Sequence, residues 1–183
     1  AWKPEYPNPA FRNMRPDDAF WGARIVARFN DAAIRAIVEK ARYSDQRATE
    51  YMTATLIKRR DKVLRTWLNG VNPVVDPALS PTGALTFGNA AVAAKVAEAP
   101  ASYTLQWFTL DNAADTRANV GEPMTVTAAS AQAPAAINAT PTGGYAGLTI
   151  TALHPTQPAW SKPATFFFRR TPEGWTWVGA ERE

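Results

Sequence analysis

Apolar positions in residues 16–70 fall three and four apart, whereas beyond residue 83 they come in short runs of Thr, Val and aromatic side chains broken by turn residues. The first spacing belongs to amphipathic helices and the second to half-buried strands. A first helix is predicted from Pro16, whose missing N–H costs nothing there, to about Phe29, with Asp17 and Asp18 against the positive end of its dipole. Adjacent helical residues point about 100° apart, so these aspartates read as capping residues rather than as a catalytic pair. A second helix follows Asn30 or Asp31 as its cap. Its buried stripe is Ile34, Ile37, Val38 and Ala41, and Asp31–Arg35 and Arg35–Glu39 are ion-pair spacings on its wet side. A third runs from Ser44 and Asp45 to about Asn69, where Gly70 would supply a left-handed stop.

That third helix carries an anomaly. At about 100° per residue, Met52, Val63, Leu56, Trp67, Leu64, Ile57 and Leu68 share one arc, and Arg60 falls in its middle. Lys58, Lys62 and Arg65 lie opposite, on the solvated face. A guanidinium buried alone costs several kcal/mol, on the order of what a small domain can spare. Arg60 therefore has three outcomes: it snorkels to water, it pairs with a carboxylate of the same unit (Asp17 or Asp18 first, then Glu39), or it meets an anionic group of a partner. We expect it to be at least half buried and hydrogen-bonded.

Around these helices the chain changes character. Residues 1–15, with WKPEYPNPAF after the first alanine, read as an extended Pro-rich arm whose Trp2, Tyr6 and Phe11 pack back on the body. Residues 71–83 read as a Pro-rich connector. Seven strands are then predicted, at 84–87, 91–96, 103–110, 124–128, 147–153, 165–169 and 175–180, the last two joined around Gly174 as a closing hairpin. The expected fold is α+β: a small three-helix unit over 16–70, followed over 84–183 by an immunoglobulin- or fibronectin-like antiparallel β-sandwich with Trp107 in its core.

Charge sharpens the division. Residues 1–70 carry 14 basic and 8 acidic side chains and residues 71–183 carry 6 and 8, so the front is +6 and the back −2. The basic run KRRDK at 58–62 nonetheless does not read as a nucleic-acid site: only Lys58, Lys62 and Arg65 share a face, Asp61 interrupts them, and no groove-reading motif accompanies them. The absence of cysteine removes thiolate metal sites and cysteine nucleophiles, and a single histidine leaves no imidazole pair for a metal. His154 reads as a loop residue. Asp111, Asn112 and Asp115 form an oxygen-rich turn lacking the glycine and distal glutamate of a calcium loop, so no metal or cofactor is expected. An enzyme would require Asp111 and Asp115 to converge in a cleft. No apolar run approaches the roughly 20 residues a membrane span needs.

Trp175 and Trp177, two apart, read as core. Trp160 in a Pro-rich loop and Phe167, turned away from Phe166 and Phe168, are the candidate ligand-binding surface, with a glycan or a peptide as its ligand.

The strings WKPEYPNPAF, DDAFWGARIVARF, ATEYMTATLIKRRDKV and WLNGVNPVVDP, spanning residues 2–77, resemble the C-terminal part of large uncharacterised bacterial proteins commonly predicted to be exported. The resemblance implies a periplasmic or extracellular setting, an upstream region as the partner, and a domain junction near residue 1, where Ala rather than Met stands. It brings no catalytic residue. The expectation is thus a non-catalytic structural or interaction module using Arg60, Asp17, Asp18 and Trp67, and the alternative is a carbohydrate- or peptide-binding sandwich.

Overall fold

The computed structural model describes Tyr6 and residues 8–182, apart from the side chain of Phe11. It forms two compact units, Ala1–Gly70 and Val71–Glu183.

In the first unit, the expected extended arm is interrupted by a helical turn, α1 (Pro9–Arg12), because the Asn8 side chain accepts the Ala10 N–H at 2.9 Å and Pro9 takes the first helical position. Tyr6 is exposed rather than packed back, while the expectations for Trp2 and the Phe11 ring lie outside the described residues. Helix α2 (Pro16–Val26) starts where its proline predicts. Asp18 accepts the Arg15 N–H at 2.9 Å and Asp17 lies 3.5 Å from the Arg15 guanidinium, so the aspartate pair anchors a helix start. The helix ends three residues before Phe29, as the Arg28 and Phe29 N–H groups tighten onto the carbonyls of Ile25 and Val26.

Helix α3 (Asp31–Glu39) is capped by Asn30, whose side chain accepts the Ala33 N–H at 2.8 Å. Ile34 and Val38 are buried, but Ile37 and Ala41 are exposed, so the buried stripe is narrower than predicted. Helix α4 (Gln46–Trp67) is capped by Asp45 and packs against both α2 and α3. Gly70 is not its left-handed stop: Leu68 closes the helix in the right-handed region, and the Asn69 amide donates to the Arg65 carbonyl at 3.0 Å. The buried centre of α4 includes two threonines that hydrophobic spacing passes over, Thr49 and Thr53. The Thr53 hydroxyl donates to the Thr49 carbonyl at 2.8 Å, which removes the penalty of burying it.

Among the described residues the second unit holds eight strands: β1 (Val74–Leu79), β2 (Ala84–Asn89), β3 (Ser102–Asp111), β4 (Thr116–Val126), β5 (Ser130–Gln132), β6 (Tyr145–Leu153), β7 (Ala164–Thr171) and β8 (Gly174–Arg182). They form two antiparallel sheets in a sandwich-like arrangement, β1-β2-β5 and β4-β3-β6-β7-β8. Lettered A, B, C, C′, E, F and G in chain order, the first seven pair as A-B-E and C′-C-F-G, the immunoglobulin-type order, with β8 added beside G.

Two predicted assignments change. Residues 71–83 contain strand β1, with Pro77 tolerated at an irregularity where Asp76 has a φ of 51°. Residues 91–96, predicted as a strand, begin instead with a short helix α5 (Ala90–Ala93). Asn89 accepts the N–H groups of Ala91 and Val92, and alanine then follows its helical preference. A further turn of helix, α6 (Ala135–Asn138), follows β5.

The core lies between the sheets. Tyr103, Leu105 and Trp107 of β3, Ala146, Leu148, Ile150 and Ala152 of β6, and Phe166 and Phe168 of β7 are buried in register, with Trp107 in the expected mid-strand position. One polar residue ties this core together. Asn72, fully buried, donates to the carbonyls of Ile150 (2.9 Å), Trp160 (3.2 Å) and Lys162 (2.8 Å), and its own oxygen accepts the Val74 N–H at 3.1 Å. Arg182 then reaches from β8 to the carbonyls of Asn72 (3.2 Å) and Val74 (2.6 Å), joining the two sheets along one side.

Candidate functional site

In the helical unit, Arg60 settles the anomaly of its sequence. Its side chain is 15% exposed, so it sits inside the apolar arc as expected. Nε and Nη2 donate to one oxygen of Asp61 at 3.0 and 2.7 Å, Nη2 also lies 2.7 Å from an Asp31 oxygen, and Nη1 donates to the Phe29 carbonyl at 2.9 Å. Burial works to lower the Arg60 pKa, but hydrogen bonds and charge from Asp61 and Asp31 outweigh it and leave the guanidinium above its ordinary value. The partners are not Asp17, Asp18 or Glu39. Asp31 spends its charge here rather than on Arg35, and Asp61, which interrupted the basic run, is the guanidinium's own neighbour. Arg60 thereby pins the α2–α3 corner to α4. Trp67, placed by the wheel in the same arc, is half-buried.

The outer side of α2 is different. Trp21 and Ile25, one turn apart, are exposed, Trp21 at 65%, and Phe29 continues their line beyond the helix end and is exposed too. The sequence already held this signal, an apolar position in every turn on the side away from Ala19, Phe20 and Ala23.

In the β unit the predicted aromatic patch does not form. Trp160 is fully buried in a short 3-10 turn (Pro158–Ser161) against His154, with ring centroids 4.6 Å apart. Phe167 is half-buried on the opposite, outer face of the five-stranded sheet, so the two share no surface. Trp175 is half-buried with Arg170 stacked over it, and Trp177 is exposed beside a bulge at Val178 on the edge strand β8, so neither is fully core.

The outer face has its own arrangement. Phe108, Gly147 and Phe167 form one row across β3, β6 and β7, and the Phe108 ring lies over Gly147 so closely that a Cβ there would overlap it. Arg117 covers both rings, 5.4 and 5.0 Å from their centroids, and ion-pairs with Glu181 at 3.3 Å. Arg117 is on β4 and Glu181 on β8, opposite edges of the sheet; in a flat sheet four spacings of about 4.8 Å would hold them roughly 19 Å apart. Twist brings these diagonal corners together, so the outer face is a trough.

A hollow of about 770 Å³ opens at the end of this face, between the β3–β4 turn, α6 and the start of β6. A second, of about 270 Å³, lies within the trough beneath Arg117 and Glu181. Leu110, Asn112 and Tyr145 line both. The turn is held by Asp111, whose Oδ1 accepts the N–H groups of Ala113 and Ala114 at 3.0 and 3.1 Å; Asp111 and Asp115 serve the turn and its rim rather than converging on one point. Sequence reading singled out the turn but not Tyr145, whose role depends on long-range register. Among the described residues no three His, Asp or Glu side chains are grouped to hold a metal ion, and no helix is long and apolar enough to cross a membrane.

Comparison with known proteins finds no family model, no curated protein and no solved structure that matches this chain.

Proposed function

We propose that the chain is a non-catalytic structural and interaction module of a larger exported bacterial protein, with the helical unit as its docking element. One observation carries the reading: α2 is packed on its inner side through Phe20, and the chain just past its end is tied by the Arg60 bond to the Phe29 carbonyl, yet Trp21, Ile25 and Phe29 are exposed on the outer side. Apolar side chains on a helix braced from behind form a surface suited to association, since its backbone has little freedom left to lose on binding. The sequence resemblance over residues 2–77 supplies the partner, the region upstream in the parent protein.

Hydroxyl-radical footprinting of the parent protein and of this chain alone tests it. Oxidation of Trp21 should fall several-fold in the parent while Trp177, on the other unit, is unchanged. Equal oxidation of Trp21 in both would refute the docking role.

A further inference from the structure

We propose that the groove running from the β3–β4 turn into the outer-face trough of the β unit is a binding site for a neutral oligosaccharide. This goes beyond the docking role of the helical unit and rests on different residues. Four observations point the same way.

First, the two hollows adjoin at Leu110, Asn112 and Tyr145, which line both, so together they extend along the surface rather than forming one closed pocket. The larger hollow is within the roughly 300–1,000 Å³ range of ligand sites, and the extension suits a chain of rings rather than one. Second, Tyr145 stands at the junction and lines both hollows with its aromatic side chain. An aromatic face complements the C–H face of a pyranose, while the ring's equatorial hydroxyls need planar partners at the rim. Third, such partners are there: Asn112 and Asp115 border the cleft, and Asp111 keeps one oxygen uncommitted after bonding the turn. Among the described residues the Asn112 amide, the Asp115 carboxylate and the Tyr145 hydroxyl have no hydrogen-bond partner. Asn112 and Asp115 stand on a turn whose backbone Asp111 already braces, Tyr145 comes from the start of β6, and a braced turn lowers the ordering cost of binding. Fourth, the charge selects the ligand. Asp111, Asp115 and Glu181 are met by Arg117, which pairs with Glu181, and by Arg169, the cross-strand neighbour of Tyr145 on the same face. The charges nearly balance, so neither a phosphate nor a uronic acid finds a net countercharge and an uncharged hydroxyl-rich ligand is accepted.

The test is calorimetric titration of the whole chain with cellohexaose, xylohexaose, mannohexaose and chitohexaose, with hexagalacturonate and a Lys-rich peptide as counter-ligands. At least one neutral hexamer should bind with a submillimolar Kd. Tyr145→Ala should weaken it tenfold or more, Asn112→Ala and Asp115→Ala severalfold each, and Tyr51→Ala, at an exposed position of the helical unit, should leave it unchanged. Backbone amide NMR of the wild-type chain should place the ligand-induced shifts at residues 110–115 and 145, which keeps the inference testable if Tyr145→Ala does not fold. No binding of any neutral hexamer, affinity indifferent to Tyr145 and Asn112, shifts confined to other residues, or preference for the uronate or the peptide would each overturn it. None of these results bears on the Trp21 footprint, so the two readings fail separately.

Discussion

Replacing Asn72 by leucine should unfold the β unit far more easily than its single-residue scale suggests. Leucine keeps the branched shape and the number of side-chain heavy atoms, but its methyl groups are bulkier than the amide's atoms, so some overpacking adds to the lost hydrogen bonds. The Asn72 amide has two protons for the three carbonyls of Ile150, Trp160 and Lys162, and its oxygen holds the Val74 N–H, so about three full bonds are lost. At about 1 kcal/mol each the net loss is roughly 3 kcal/mol, and it rises further because the orphaned groups stay buried away from water. Against a typical stability of about 5–15 kcal/mol, this is a large fraction for one site. Urea titration of the whole chain, followed by near-ultraviolet circular dichroism of the buried Trp107 and Trp160, reads the β unit; far-ultraviolet ellipticity reads the helices alongside it. The midpoint of the tryptophan signal should fall by about 1–3 M for a slope of about 1–3 kcal/mol/M. A variant within about 0.5 kcal/mol of the parent would show that Asn72 does not bind the sandwich together.

Other outcomes follow from the same structure. Gly147→Ala should cost about 1–3 kcal/mol by driving a methyl group into the Phe108 ring, and Phe108→Leu in the same chain should recover part of that loss, a coupling that a double-mutant cycle detects. For Arg60, Asp61→Ala should destabilise the helical unit by about 1 kcal/mol or more while Asp31→Ala costs at most about 0.5, because the Asp61 side chain is 30% exposed and Asp31 69%; thermal melts at low and high salt give both values. Burial raises the Tyr103 hydroxyl above its ordinary value of 10.0, with the Asn89 amide acting weakly the other way. Since the unfolded chain then releases the Tyr103 proton first, stability is intact below pH 10.0 and declines as pH rises toward the folded-state value. Tyr103→Phe should flatten that alkaline decline.

Features carried by local chemistry were legible in the sequence. Asn30 and Asp45 mark helix starts because each meets its backbone partners within a turn, Pro16 does so by its fixed φ, and the sandwich-like class follows from short alternating segments and turn residues, although the order of the strands does not. The burial of Arg60 was equally legible, as a wheel needs only one helix. Its partners were not, because Asp31 reaches it from another helix and Asp61 looked like an interruption of a solvated run. Residues 91–96 read as a strand because apolar spacing in so short a segment does not separate the two periods, and the Asn89 cap decided it. Trp160 was misplaced for a related reason: a Pro-rich loop implies exposure, yet this one is folded inward by Asn72, 88 residues earlier in the chain. The cleft around Tyr145 exists only once β3, β4, β6 and β8 are in register and twisted, a property of no single segment.

The clasp formed by Arg182 has a bearing on how the protein is made. It fastens onto carbonyls 110 and 108 positions earlier, so the strand order of the β unit is completed only after nearly all of it has been synthesised. Until then β7 waits with one flank unpaired and β1 lacks the side-chain clasp from Arg182. A late-closing buckle of this sort sets the final folding of the β unit after the synthesis of its last strand.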